Sequence, residues 1–378
     1  MSHFPNVVIS GSGVWNPPYS VSNEELVDVL NRNADRFNEE NADAIADGLL
    51  EPLAKSDAAF IEKASGIKHR FVFEKEGILD LNRMRPNIPE RSDNDISQQA
   101  EMAVAAAKLA LDDAGKSSDQ IDAVIVSCAY TQRAYPAIAI EVQHALGIVG
   151  FGFDMLVACS AATFALQRAY EMIRSGTARA VLVINPELVT PQLNYADRDS
   201  HFIFGDVATA MVIEDEANVQ SDQYFKILGT KAVTSYSNNI RSNFGHLARA
   251  ADVEAFGVNN LFHQEGRKVF KEVCPMAAEH MTSHLAELGL DNGVVRRWWL
   301  HQANINMNLL IAKKLLGRNA TADEAPVVLD RYGNTASAGS IIAFSLYHKD
   351  FKPGEIGLIC SFGAGYSIGS LIVECCQQ

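Results

Sequence analysis

Basic residues are scarce in this chain. Its 32 Lys and Arg are outnumbered by 46 Asp and Glu, a formal net charge of -14, which argues against nucleic acid or an anionic membrane surface as a partner. Cysteine is sparse too: Cys128, Cys159, Cys274, Cys360, Cys375 and Cys376 are the whole complement, and no two are spaced C-x-x-C. Neither a disulfide framework nor a zinc site is expected, and most of these residues read as small buried hydrophobes. Long apolar runs are missing. The stretch 155–166 is too short to cross a bilayer, and Met1-Ser2-His3-Phe4-Pro5 carries neither the basic nor the apolar region of a secretory leader. The expectation is a soluble, cytoplasmic protein.

What is present is the material of a large core. Apolar residues make up 48% of 378 positions, and the length exceeds one ordinary domain, so two domains or one large α/β unit are the natural readings. Val- and Ile-rich runs at 6–10, 123–127, 180–184, 208–213, 327–329, 356–360 and 370–373 read as buried strands, with amphipathic helices between them. That alternation means α/β. Two helices are sharply delimited, 97–114 by Gly115 and 160–174 by Gly176, glycine being the usual residue just past a helix end. Residues 30–95 differ in character. The polar, acidic stretch 31–47 reads as a helical insertion, and 73–91, with Asn82, Pro86 and Pro89, as a long irregular loop, either a lid or a subunit contact. Each half runs through strand, helix and strand and brings a reactive candidate to a strand end. A pseudo-duplicated molecule is therefore expected, with its boundary in the polar run 214–221: an N-terminal half, 1–215, with insertions near 30–50 and 73–95, and a C-terminal half, 216–378.

Four short segments carry the chemistry. In Phe153-Asp154-Met155-Leu156-Val157-Ala158-Cys159-Ser160-Ala161-Ala162-Thr163 a strand runs into a helix of small residues, which puts Cys159 at a helix N-terminus. Free N–H groups and the positive end of the helix dipole favour a thiolate there, and the thiolate is the nucleophile. Taken alone, a cysteine beside alanines reads more readily as a packed core residue. Trp298-Trp299-Leu300-His301-Gln302-Ala303-Asn304 delivers His301 at the end of an apolar strand, ahead of an amphipathic helix over 304–316. Tyr332-Gly333-Asn334-Thr335-Ala336-Ser337-Ala338-Gly339-Ser340 turns into another small-residue helix, where Asn334 alone reads as a turn or capping residue. Phe362-Gly363-Ala364-Gly365-Tyr366-Ser367-Ile368-Gly369-Ser370 joins two strands through a glycine turn that suits an oxyanion-binding backbone or a plain hairpin. Asp206, in a Gly-Asp pair at a strand edge, reads as structural.

Ala158-Cys159-Ser160, His301-Gln302-Ala303-Asn304, Gly333-Asn334-Thr335 and Gly363-Ala364-Gly365 occur in the order found in β-ketoacyl-acyl carrier protein synthase III, a thiolase-superfamily enzyme. The chain resembles that family over most of its length, with Phe204-Gly205-Asp206, the stretch 56–67 and Tyr135-Pro136 as further matches. The resemblance implies a thiolase-like, five-layered αβαβα fold of two related halves, usually a homodimer. It implies that Cys159 takes an acyl group from acyl-CoA while backbone N–H groups of Cys159, Ala364 and Gly365 hold the oxyanion. His301 and Asn334 would then stabilise the enolate formed as malonyl-acyl carrier protein decarboxylates, giving a 3-oxoacyl product and initiating fatty acid synthesis. No metal or redox cofactor enters that scheme. Two other readings stay open: a thiolase-fold acyltransferase of secondary metabolism with another acceptor, and a non-catalytic partner subunit.

The chain also departs from the family pattern. Where the family places Trp and Arg against the adenine of CoA, this chain has Phe60 and Ala64. CoA contacts are therefore assigned to Phe60, Lys63 and Gly266, with the arginine's part unfilled. Asn306 stands where the family has Arg, while Lys313 and Lys314 match two family lysines and are expected to meet an acidic carrier protein, or else form a solvated face. Tyr135 matches the residue that crosses the dimer interface and closes the acyl tunnel. Relatives that condense two fatty acyl chains have Glu there, so Tyr135 argues against that activity. A medium-chain primer is favoured over acetyl-CoA, on the resemblance to longer family members with extra segments near the tunnel mouth.

Overall fold

The computed structural model of the chain describes residues 4–242, 257 and 261–378. Among these, the strands in chain order are β1 (Val7–Trp15), β2 (Tyr19–Ser22), β3 (His69–Val72), β4 (Ala123–Cys128), β5 (Phe151–Leu156), β6 (Ala180–Glu187), β7 (Val207–Asp215), β8 (Gln223–Ser237), β9 (Ile240–Ser242), β10 (Phe262–Gln264), β11 (Val295–Leu300), β12 (Ile356–Gly363) and β13 (Gly365–Gln377). Nine of them join in the order β11-β12-β13-β8-β1-β7-β6-β4-β5, and β2–β3 and β9–β10 form separate pairs.

The order is one pattern used twice. In the first half β4 runs parallel to β6, β6 antiparallel to β7, and β7 antiparallel to β1. In the second, β11 runs parallel to β12, β12 antiparallel to β13, and β13 antiparallel to β8. The two sheets meet through the pairs Val8–Lys226 and Ile9–Phe225.

Helices enclose and separate the sheets. The helices Gln98–Ala114 and Ile138–Leu146 pack with Val124, Val126, Leu182 and Ile184 on one outer face, and Gly266–Glu287 and Ile305–Leu316 pack with Trp298, Leu300, Leu358 and Ile372 on the other. Between the sheets lie Ala161–Arg174 and Gly339–Leu346, whose Ala165, Leu166, Ile341 and Phe344 pack with Ile125, Val183, Trp299 and Ile359. The result is the five-layered thiolase arrangement. Because both faces of each sheet are covered, strands such as β4 are apolar throughout rather than alternating. The expected glycine closes the helix Gln98–Ala114, Gly115 standing at φ 66, and Ser97 caps its start, its Oγ accepting from Ala100 N–H (3.1 Å).

One expected strand is absent. The run 327–329 enters no ladder, and Leu329–Tyr332 is a short helix; the chain touches the outer edge of β11 where Trp298 N–H donates to Glu324 O (2.7 Å). Val328 and Leu329 are fully buried, so the apolar triplet reports burial rather than pairing. Conversely, β8 is a fifteen-residue strand that no apolar run announces, being mostly half-buried or exposed. The insertion at 30–50 falls in the helices Asn23–Glu40 and Ala42–Ala46, whereas 73–91 holds only the short helix Glu76–Leu79. Among the described residues, no helix is long and apolar enough to cross a membrane.

Candidate active site

Two like turns open the middle-layer helices. The turn Ala158–Ser160 leads into Ala161–Arg174, and Ala336–Ala338 leads into Gly339–Leu346. Ala158 stands at φ 45 and Ala336 at φ 48, left-handed conformations that cost a non-glycine residue ~1–2 kcal/mol. Hydrogen bonds hold the first turn in place: Ser160 Oγ donates to Ser367 O (2.8 Å) and Ser367 Oγ donates to Ser160 Oγ (3.0 Å), tying it to β13. Cys159 packs against Gly363 at the end of β12, where an added Cβ would lie 2.6 Å from the Cys159 Cβ. Only glycine fits there.

His301 follows β11, and its N–H donates to Cys360 O (2.8 Å), extending the ladder with β12. The ring meets Phe362 edge-on at 5.1 Å, and its Nδ1 is buried without a partner, which leaves Nε2 as the nitrogen open to the cavity. Asn334 is pinned by its backbone, donating to Ile203 O (2.9 Å) and accepting from Gly205 N–H (3.1 Å). Its Oδ1 accepts from Ala336 N–H (3.0 Å), so Nδ2 is left to donate. Cys159, His301, Asn334 and Gly363 line one cavity of about 320 Å³, walled mainly by Phe60, Phe202, Phe204, Phe262, Phe270 and Met307.

The electrostatics reverse one expectation. Position at a helix N-terminus predicts a thiolate, but burial, helped by the Glu187 carboxyl, pushes the Cys159 thiol up to about 12, with a backbone N–H opposing. Loss of water outweighs the dipole. Burial also lowers His301 to about 3, so at neutral pH a neutral thiol and a neutral imidazole share the cavity. Glu187 was missed in the sequence, where it is one acidic residue at the end of an apolar run; it is fully buried, and burial raises its carboxyl to about 7. Asp206 accepts from Phe73 N–H (2.9 Å), Val189 N–H (2.8 Å), Thr190 N–H (2.9 Å) and Thr190 Oγ1 (2.7 Å), and so joins three segments structurally.

Phe60, Ala64 and Gly266 lie in the cavity wall, while Lys63 is exposed and outside it. Beside the cavity-wall residue Phe60 stands Arg198, which no motif singled out: its guanidinium lies 4.4 Å over the Phe60 ring. Asn304 and Asn306 both donate to Ala64 O (2.8 and 3.4 Å), so the two positions lacking a family arginine touch each other. Of the glycine turn, Gly363 lines the cavity and Ala364 and Gly365 do not, because β12 continues to Gly363 before the hairpin turns away. Tyr135 is 84% exposed and does not reach its own chain's cavity. Lys313 and Lys314 are exposed in the last turn of Ile305–Leu316. No residue of 30–50 or 73–95 lines the cavity.

An apolar cavity lined by a cysteine, a histidine and an asparagine, with a doubled α/β framework around it, is the arrangement of a thiolase-superfamily acyltransferase. The chain matches the family model of 3-oxoacyl-[acyl-carrier-protein] synthase III over residues 153–234 and that of its C-terminal part over 285–375. It is 58% identical over 339 residues to the β-ketodecanoyl-[acyl-carrier-protein] synthase of Pseudomonas aeruginosa, covering 90% of this chain and 97% of that one. It is 31% identical over 290 residues to the β-ketoacyl-[acyl-carrier-protein] synthase III of Bartonella henselae, covering 74% and 86%. The crystal structure of 3-oxoacyl-[acyl-carrier-protein] synthase III from Aquifex aeolicus shares the fold, with a TM-score of 0.75 at 24% identity over 97% of this chain and 99% of that one. This chain belongs to the 3-oxoacyl-[acyl-carrier-protein] synthase III family of condensing enzymes.

Proposed function

We propose that the chain loads a medium-chain acyl group, eight carbons long, from acyl-CoA onto Cys159 and condenses it with malonyl-acyl carrier protein to begin a fatty acid. The observation that carries this is the convergence of Cys159, His301 and Asn334 on one aromatic-walled cavity. The chain length is supported by the Pseudomonas aeruginosa relative, a β-ketodecanoyl-[acyl-carrier-protein] synthase, whose named product has ten carbons. Decarboxylative condensation with malonyl adds two.

In the first half-reaction the Cys159 sulfur bonds to the thioester carbon, and CoA leaves as its thiol with the cysteine's proton. In the second, malonyl-acyl carrier protein loses carbon dioxide and the electron pair passes into an enolate, toward which His301 Nε2–H and Asn334 Nδ2–H donate. The carbanion then bonds to the acyl carbon, and Cys159 leaves and regains a proton from solvent. Neutral donors suit this step, since a positive imidazolium would hold the malonyl carboxylate that must depart.

The same reading makes the protein a cytoplasmic homodimer. Among the described residues the outer edge of β5 has no partner strand, and Val149 (89%), Leu156 (55%) and Tyr135 (84%) are exposed near it, as a surface covered by a second copy would be. Lys313 and Lys314 would meet the acidic carrier protein. The test is mass spectrometry after mixing with octanoyl-CoA. An octanoyl adduct on Cys159, discharged by malonyl-acyl carrier protein as a 3-oxodecanoyl product, is expected; no adduct would overturn the reading.

A further inference from the structure

Glu187 has no part in that scheme, yet it is fully buried behind the site at the end of β6. Three hydrogen bonds converge on its Oε1: from Ala129 N–H (3.2 Å), from Ser337 N–H (3.1 Å) and from Ser337 Oγ. Ala129 N–H also reaches Oε2 (3.0 Å). Ser337 follows Ala336, the residue at φ 48 whose N–H is accepted by Asn334 Oδ1. Two successive peptide N–H groups thus have fixed acceptors, Ala336 on Asn334 and Ser337 on Glu187. A left-handed alanine persists only where its surroundings over-determine it, and Glu187 is the anchor on the far side of this turn.

We propose that Glu187 is a positioning residue for decarboxylation: through Ser337 it holds the turn from which Ala336 fixes the Asn334 amide with Nδ2 toward the cavity. This rests on the reading that Asn334 serves that step. The doubled topology makes the placement intelligible. The Cys159 turn and the Ser337 turn are counterparts, and so are β12 and β6. Gly363, at the end of β12, leaves room for the nucleophile, whereas Glu187, at the end of β6, ties down the turn that has none.

The experiment compares Glu187→Asp, which keeps the charge but withdraws it by one methylene, with Glu187→Gln. Glutamine keeps the reach, and its carbonyl oxygen, placed where Oε1 lies, can accept both Ser337 donors without the charge, while Ala129 N–H loses its nearer acceptor, Oε2 (3.0 Å), to the amide group. Two half-reactions are followed: acylation of Cys159 by octanoyl-CoA, read by mass, and carbon dioxide release from malonyl-acyl carrier protein by the acylated enzyme. The aspartate variant is expected to slow carbon dioxide release up to about 100-fold, the order reported for a misplacement of ~1 Å, with acylation little changed. The glutamine variant should recover most of the rate. A glutamine variant slower than the aspartate one would overturn the proposal in favour of a charge effect, and a parallel fall of both half-reactions would reduce Glu187 to a folding role. Asn334→Ala in the same assay separates the two ideas. If it leaves carbon dioxide release intact, the reading of Asn334 fails; if it stops release while Glu187→Asp does not, the present inference fails alone.

Discussion

The Arg198 guanidinium lies 4.4 Å over the centre of the Phe60 ring, joining a loop of the first half to the helix Ala58–Ser65 beside the cavity. Arg198 Nε also donates to Lys55 O (2.8 Å), so the cation is held in place rather than swinging freely. If adenine docks at Phe60, as the family resemblance implies, the pair would offer it an aromatic face and a cation, although the cation comes from far along the chain.

Arg198→Ala should therefore raise KM for acyl-CoA about 2- to 30-fold, the range of a cation–π contact worth ~0.5–2 kcal/mol. Acyl-pantetheine, which has no adenine, should be used as well by the variant as by the parent. An equal loss with both donors would dismiss the adenine role.

Cys159→Ser should abolish the acyl-enzyme adduct, since a hydroxyl is far less acidic than even a buried thiol. With burial pushing the thiol up to about 12, alkylation of the free enzyme by iodoacetamide should be slow at pH 7 and still rising at pH 9. A plateau below pH 8 would mean that the thiolate forms more easily than the enclosure of Cys159 implies.

His301→Ala and Asn334→Ala should leave acylation largely intact while blocking carbon dioxide release from malonyl-acyl carrier protein. Single-turnover measurement of each half-reaction decides this, because it separates binding from chemistry. Equal losses in both would contradict the division of labour between the nucleophile and the two donors.

Across acetyl-, butyryl-, hexanoyl-, octanoyl- and decanoyl-CoA, kcat/KM should climb to a maximum at octanoyl. Each buried methylene contributes ~0.8 kcal/mol, so the rise should be steep. A maximum at acetyl-CoA would show that the tunnel beyond Cys159 is closed.

Acid should destabilise the fold through its buried histidines. His280 Nε2 and His284 Nδ1 share Ser370 Oγ (2.9 and 2.7 Å), and burial lowers both rings from the usual 6.5 to about 4. Between those values the unfolded chain binds protons that the folded one refuses, so their contribution is complete above pH 6.5 and lost as pH falls toward 4. Urea midpoints measured from pH 8 to pH 5 should show that fall, and the double variant His280→Gln with His284→Gln should flatten it.

How much of this was legible depended on how local each feature is. Strand-to-turn-to-helix junctions are local, so the turns that carry Cys159, His301 and Asn334 were legible, but each residue read alone was ambiguous and only the order of the four segments marked the set, which the structure brings to one cavity. The helix Gln98–Ala114 was legible to within a residue because its cap and its closing glycine adjoin it. The strand expected at 327–329 failed because apolar residues mark burial and say nothing of a hydrogen-bonding neighbour. Strand β8 was invisible for the opposite reason: its ladders with β13 and β1 are supplied by residues far away in the chain.

By itself the sequence determined the alternation of strands and helices, the turns that carry the reactive residues, and the family to which they belong. Only the tertiary structure decided that Arg198 meets Phe60, that Glu187 sits behind Asn334, and that Cys159 rests as a thiol. Those three depend on which distant segments meet and on how much water is left between them. A charge in a protein is governed by its surroundings in space, and the order of residues along the chain does not state them.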